Sequence, residues 1–135
     1  MILFADSAGW VAAYDERDKY HAAAKLALQR LSGQRVTFAV TDYVVAESVT
    51  LMSSRLGHAR AVAFGDWLLQ SPRVKLIRLD ADLWNEAWRF FKAYDDKEFS
   101  FTDCASFVVM RRERLRDAFT FDRHFEQAGF RLWPR

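Results

Sequence analysis

Four acidic side chains from distant parts of the chain are the residues best suited to chemistry. Asp6 directly follows the apolar run ILFA, Asp103 and Asp122 follow aromatic segments, and Glu47 lies in a stretch with helical apolar spacing. An acid that ends a parallel strand lies at the carboxyl edge of the sheet, where ligand sites form near the switch in strand order. If all four side chains meet at that edge, they form one acidic cavity.

Such a cavity requires bound protons or a cation. Two unit charges about 4 Å apart repel by roughly 4 kcal/mol at an effective dielectric constant of 20. Oxygen ligands suit Mg²⁺ or Mn²⁺, whereas the scattered His21, His58 and His124 and the single Cys104 provide no zinc-binding spacing. A carboxylate-held Mg²⁺ takes phosphate oxygens as further ligands. The acidic set therefore favours phosphodiester hydrolysis.

Each aspartate taken alone also has a simpler interpretation as a helix cap. Asp is a favoured N-cap residue, and the spacing of Ser100 and Asp103 fits a capping box. Asp42 and Asp80 also follow predicted strands, and we expect both to be caps. Aromatic residues surround Asp103 and the other two candidates, although a cap needs no aromatic surroundings, and this favours the cavity.

Glu47 is harder to explain as an ordinary surface residue. Val44 and Leu51 share its helical face, and no Lys or Arg lies within a turn of it. A Glu on an apolar face is seldom buried without a partner. Either Glu47 lies at the edge of the apolar stripe, or its partner is distant in sequence or is a metal ion.

The composition describes the protein that must position these acids. The chain has 135 residues, of which 51% are hydrophobic, with 12 Phe and 5 Trp, so we expect a single domain over residues 1–135 with an aromatic-rich core. One cysteine forms no internal disulfide and fits a reducing compartment. No apolar run approaches the roughly 20 residues of a membrane span, and no basic leader precedes the first strand. We expect an unexported, cytoplasmic protein.

Strands and helices alternate along the chain. Apolar runs and helical periodicity predict strands over residues 2–5, 36–40, 75–79, 117–121 and 131–133, and helices over 10–14, 19–31, 43–56, 58–69, 80–94 and 102–114. The first strand is apolar at every position, which is typical of a parallel strand covered on both faces. The alternation predicts a three-layer α/β domain with a parallel sheet.

Two surface features have both a binding and an ordinary interpretation. Seven arginines form either a track for a phosphate backbone or a set of solvated charges: Arg73, Arg78, Arg111, Arg112, Arg114, Arg116 and Arg123. Without the four candidate acids, 14 acidic residues remain against 20 basic ones, although the net charge of the whole chain is only +2. Five apolar residues form either a docking patch or ordinary core: Trp10, Tyr14, Phe64, Trp67 and Leu68.

Four dispersed motifs together resemble PIN-domain ribonucleases, specifically the VapC toxins of type II toxin–antitoxin pairs. The motifs are Asp6-Ser7 after the first strand, Glu47 in DYVVAESVTLM, Asp103 in FSFTDCAS and Asp122 in TFDRHF. They cover nearly the whole chain in the expected order. The resemblance implies a PIN-like α/β/α domain with strand order 3-2-1-4-5. It also implies a Mg²⁺- or Mn²⁺-dependent endoribonuclease that forms a homodimer and is neutralised by a cognate VapB-like antitoxin bound across the active-site groove.

The resemblance also implies residue roles. Asp6 and Asp103 are expected to be the principal metal ligands, with Glu47 and Asp122 completing the catalytic set. The hydroxyls of Ser7, Ser100 and Thr102 are expected to orient the carboxylates or a metal-bound water. His124, two residues after Asp122, is either a general acid or a residue with a structural contact.

Two rival classes fit the sequence less well. An aspartyl-phosphate phosphatase needs a second Asp two residues after the first, where this chain has Ala8, and a receiver domain needs an acidic pair after strand one and a Lys after strand five. A non-catalytic RNA- or protein-binding module of PIN-like fold remains an alternative, although retention of all four acids argues against it.

Overall fold

The first strand, β1 (Ile2–Ala5), lies at the centre of the molecule. In the computed structural model, which describes residues 1–134, Leu3, Phe4 and Ala5 have no exposed surface. Consecutive residues of a strand face opposite sides of the sheet. Helices therefore cover both faces of β1, as its unbroken apolar run predicts.

Five parallel strands form one sheet. β1 pairs with β2 (Thr37–Thr41) on one side and with β4 (Asp117–Phe119) on the other. β3 (Val74–Ile77) flanks β2, and β5 (Arg131–Trp133) flanks β4. The order β3-β2-β1-β4-β5 confirms the expected strand order and places the switch in chain direction beside β1. The carboxyl ends of β1 and β4 therefore open a crevice.

Seven helices of the described residues surround this sheet. They are α1 (Ser7–Tyr14), α2 (His21–Ser32), α3 (Asp42–Leu56), α4 (His58–Gln70), α5 (Ala81–Ala93), α6 (Phe101–Arg112) and α7 (His124–Gln127). The four-residue α7 was not predicted because one turn shows no periodicity. β4 ends at Phe119, two residues before the predicted end, because its partners in β1 and β5 end at the same level.

The apolar patch proposed from the sequence is mostly core. Trp10, Phe64 and Leu68 are each no more than 2% exposed, and the Trp10 ring lies 5.8 Å from the Phe64 ring. Tyr14 is half-buried, whereas Trp67 is 44% exposed and packs edge-on against Trp10. A helix face made of these residues is therefore not available as a continuous docking surface.

The largest exposed aromatic run is instead on α5. Trp84, Trp88 and Phe91 are 41%, 45% and 39% exposed and stack on one another, while the opposite face buries Leu83 and Ala87. Within residues 1–134, none of the helices has the length and apolar character of a membrane span.

Candidate active site

Asp6 lies where β1 meets α1. Its backbone is extended, it precedes the first residue of α1, and its backbone N–H donates to the carbonyl of Phe119 at 3.1 Å. The side chain makes no capping hydrogen bond, so the cap interpretation is wrong for this residue. Instead, Asp6 Oδ2 accepts a hydrogen bond of 2.9 Å from the Thr120 hydroxyl at the end of β4. The local fold thus turns this carboxylate into the crevice.

The second oxygen of Asp6 has no partner. Asp6 is 2% exposed, and within residues 1–134 its buried Oδ1 accepts no hydrogen bond. Burial raises the pKa of Asp6 to about 7, and the charge of Asp103 raises it further. The Thr120 hydrogen bond lowers the pKa and the charge of Glu47 raises it. A buried acceptor of this kind is costly unless a proton or a cation satisfies it.

Glu47 faces the same crevice from the second turn of α3. Its Oε1 accepts a hydrogen bond from the hydroxyl of Ser7, the first residue of α1. The partner is therefore distant in sequence, one of the possibilities left open above. The charge of Glu47 raises the pKa of both Asp6 and Asp103, so it lies close to both carboxyls. Thr102 lines a cavity of 460 Å³ beside Glu47.

Asp103 is both a cap residue and a member of the acidic group. The Ser100 side chain accepts from the Asp103 backbone N–H at 3.0 Å, and Asp103 Oδ2 accepts from the Ser100 backbone N–H at 3.1 Å. This capping box confirms the structural interpretation of the motif. The carboxyl is nevertheless only 7% exposed, and burial raises its pKa against the opposing effect of the Ser100 N–H.

Asp122 and His124 close the crevice on the side of α7. Asp122 Oδ1 accepts from the His124 backbone N–H at 2.9 Å. The His124 ring nitrogen Nδ1 lies 3.2 Å from Asp122 Oδ1 and 3.3 Å from Asp103 Oδ2. One ligand atom from each of Asp103, Asp122 and His124 lies within 4.8 Å of the others, a spacing that can hold a metal ion. The sequence set omitted His124, whose only signal was its place two residues after Asp122.

The four acids thus form two overlapping groups that share Asp103. One group is Asp6, Glu47 and Asp103, which interact through their charges, and the other is Asp103, Asp122 and His124. The positive ends of α1 and α6 point toward the crevice, because both helices begin there.

The remaining two acids that follow strands lie outside this group. Asp80 caps α5 by accepting from the Leu83 backbone N–H at 2.8 Å, as expected. The expected cap role of Asp42 is wrong, because Thr41 caps α3 and Asp42 accepts from the backbone N–H of Leu79 at 3.1 Å.

The arginines do not form one track. Arg111 and Arg112 end α6, whose first turn carries Asp103, so about 12 Å of helix separates Arg111 from that turn. Arg116 precedes β4 at the opposite edge of the sheet from the acids. Arg123 lies beside the crevice and pairs with Glu126 at 2.7 Å.

An open parallel sheet with a carboxylate-lined crevice at its switch point defines a class of α/β protein with a candidate metal centre. The chain belongs to the PIN domain family, which matches residues 3–131. It is 35% identical to the 23S rRNA-specific endonuclease VapC20 of Mycobacterium tuberculosis over 130 residues, or 96% of this chain and 95% of the relative.

Two solved structures show the same fold. The crystal structure of VapC20, a toxin that cleaves the sarcin-ricin loop, matches with a TM-score of 0.86 at 34% identity, covering 96% of each chain. VapBC2 from Rickettsia felis, solved bound to a DNA fragment from its promoter, matches with a TM-score of 0.70 at 17% identity, covering 98% of this chain and 97% of the other. The second likeness concerns the fold alone.

Proposed function

We propose that this protein is a metal-dependent endoribonuclease of the VapC type, the toxin of a toxin–antitoxin pair. The observation that carries the proposal is the unpartnered, buried Oδ1 of Asp6 next to the charges of Asp103 and Glu47. The similarity to VapC20, a ribosomal RNA endonuclease, supports RNA as the substrate class.

The residues of the crevice fit a divalent cation. Asp6, Glu47, Asp103 and Asp122 would hold Mg²⁺ or Mn²⁺ through oxygen ligands, and His124 Nδ1 lies within reach of two of these carboxylates. When bound, the cation supplies charge neutralisation at the scissile phosphate and lowers the pKa of a water molecule. A cation also removes the mutual repulsion that raises the pKa of Asp6.

The chain itself contributes orientation and exclusion of water. Thr120 fixes Asp6 through Oδ2 and leaves Oδ1 free, while Ser7 fixes one oxygen of Glu47. The Ser100 backbone N–H holds one oxygen of Asp103. Each carboxylate therefore has one tethered and one available oxygen, an arrangement that positions ligands before substrate arrives. Hydrolysis in this site leaves 5′-phosphate and 3′-hydroxyl ends, because no ribose hydroxyl is needed as the nucleophile.

The proposed partners follow from the family. We propose a VapB-like antitoxin as the protein partner, supported by the fold shared with the VapBC2 complex, and a homodimer as the assembly. We place the activity in the cytoplasm, which accords with the single buried Cys104 in its thiol form.

RNA cleavage assays test the proposal. Wild type and the variants Asp6→Asn, Glu47→Gln, Asp103→Asn and Asp122→Asn are incubated with RNA in Mg²⁺, in Mn²⁺ and in EDTA. We expect cleavage by the wild type in either metal and its loss in EDTA and in the Asp6 and Asp103 variants. Undiminished cleavage in EDTA would reject the metal role. Calorimetric metal titration separates the alternative, a non-catalytic PIN-like module, which would bind RNA or protein without taking up metal at these acids.

A further inference from the structure

A second cavity adjoins the acidic crevice. It has a volume of 330 Å³, at the lower end of the range for small-ligand pockets. Ser7 and Asp122, which belong to the crevice, form one part of its wall, and the segment between α1 and α2 forms the opposite part. A substrate phosphate at the acids therefore places its neighbouring nucleotide at the mouth of this cavity.

Two stacked aromatic rings form one wall of the cavity. The rings of Tyr20 and Phe121 are parallel within 5°, with centroids 4.6 Å apart. Phe121 lies between Thr120, which bonds Asp6, and Asp122, so the wall is attached to the backbone that carries the site. Tyr20 is 40% exposed. A ring stacked on one face and open at its edge and outer side is a platform for another planar group.

The segment that carries Tyr20 is fixed in place. Asp18 Oδ1 accepts from the Tyr20 backbone N–H at 2.8 Å, and Asp18 Oδ2 lies 3.4 Å from an Arg55 guanidinium nitrogen on α3. Arg17 donates to the Arg55 carbonyl at 2.8 Å, and Arg55 also lies 3.8 Å from Asp15. These contacts tie the segment to α3, so the aromatic wall exists before any ligand binds.

One cation of the cavity is free to meet a ligand. The Lys19 ammonium lies 5.0 Å from the centre of the Tyr20 ring, and within residues 1–134 Lys19 forms no ion pair. Arg55, by contrast, is neutralised by Asp15 and Asp18. A neutral aromatic wall with one unpaired ammonium suits a nucleobase joined to a phosphate better than it suits a second phosphate alone.

We propose that this cavity binds the unpaired nucleobase next to the scissile phosphate, with Tyr20 as its stacking platform and Lys19 on the adjoining phosphate. This inference rests on the proposed ribonuclease function and adds the substrate class of that site, an RNA segment whose bases are free to leave the stack. A base held within a helix does not enter an enclosed pocket, so the subsite selects single-stranded or loop RNA. Tyr20 and Lys19 are thereby specificity-determining residues.

The test uses a single-stranded RNA pool with a randomised central segment and sequencing of the cut ends. For the wild type in Mg²⁺ we expect a base preference at one nucleotide next to the cut. Tyr20→Ala should flatten that preference and lower kcat/KM on the preferred oligonucleotide by roughly 10-fold or more. Tyr20→Phe keeps the ring and should retain the preference. Lys19→Gln should raise KM, whereas Lys25→Gln, an exposed lysine on α2, is the matched control.

A second substrate separates stacking from a folding effect. The preferred oligonucleotide is made with an abasic residue at the preferred position, and we expect wild type and Tyr20→Ala to cleave it equally. Equal loss of activity by Tyr20→Ala on the intact and abasic substrates would overturn the inference and leave the ribonuclease function standing. Unchanged cleavage by Tyr20→Ala, with weaker inhibition by a protein partner, would overturn it in favour of a peptide site. Absence of RNA cleavage by the wild type would reject the proposed function itself.

Discussion

The hydroxyl of Thr120 donates a 2.9 Å hydrogen bond to Oδ2 of Asp6, joining residues 114 positions apart in the sequence. The same hydroxyl accepts from the backbone N–H of Asp122 at 3.1 Å. Thr120 has no exposed surface, so water does not replace it in either bond. One buried threonine therefore sets the orientation of one candidate ligand and the backbone position of another.

Thr120→Val should impair the site while preserving the shape of the side chain. The hydroxyl lowers the pKa of Asp6, so its loss raises that pKa and favours the protonated carboxyl. We expect metal affinity to fall by roughly 10- to 100-fold, with the rise of the pH–rate profile displaced to higher pH. Calorimetric Mn²⁺ titration and RNA cleavage across pH measure both. Thr120→Ser retains the hydroxyl, and a valine variant with the wild-type profile would contradict the positioning role.

Gly9 should be the glycine least tolerant of substitution. A Cβ at Gly9 would collide with the backbone carbonyl of Phe119, because α1 lies directly against the end of β4. We expect Gly9→Ala to lower the free energy of unfolding by about 1 to 3 kcal/mol, measured by urea denaturation. Gly33→Ala is the matched control, since its φ is −85° and nothing lies within 4 Å of its added Cβ. Equal stability of the two variants would contradict the close packing.

Asp103 allows its two roles to be separated. Asn at this position keeps an oxygen that can accept from the Ser100 backbone N–H, whereas Ala removes the reciprocal cap. We expect Asp103→Ala to lose about 1 kcal/mol of stability and Asp103→Asn to lose less. RNA cleavage should fall in both variants to the level of the EDTA sample. An active Asp103→Asn enzyme would show that the residue is only a cap.

The sequence predicted the elements better than the contacts at their ends. The unbroken apolar character of β1 requires a central, doubly covered strand, and this placed Asp6 at the crevice. Thr120 was not singled out, because a hydroxyl partner 114 residues away leaves no periodic signal. For the same reason Ser7 was assigned a role only by resemblance, although Glu47 visibly lacked a local partner. His124 became a candidate ligand only when the fold brought it beside Asp103.

Without metal, stability should decline as pH rises. The folded-state pKa of Asp6 is about 7, against 3.8 for the ordinary carboxyl, so the folded chain binds more protons than the unfolded chain between these values. Stability from this group is fully present below pH 3.8 and is lost as pH rises through about 7, by on the order of 4 kcal/mol in all. Asp103, whose pKa is also raised, adds to the decline. Urea denaturation in EDTA across this window measures the slope.

Two comparisons make this pH dependence specific. Asp6→Asn removes the titrating group, so the slope in EDTA should flatten and the variant should exceed the wild type in stability above pH 7. Mg²⁺ binds ionised carboxylates in competition with protons, so the stabilisation that it gives the wild type should grow as pH rises. It should be absent in Asp6→Asn if Oδ1 of Asp6 is the essential ligand atom. A wild-type protein whose stability in EDTA increases over this window would contradict the crowding of buried acids on which the nuclease proposal depends.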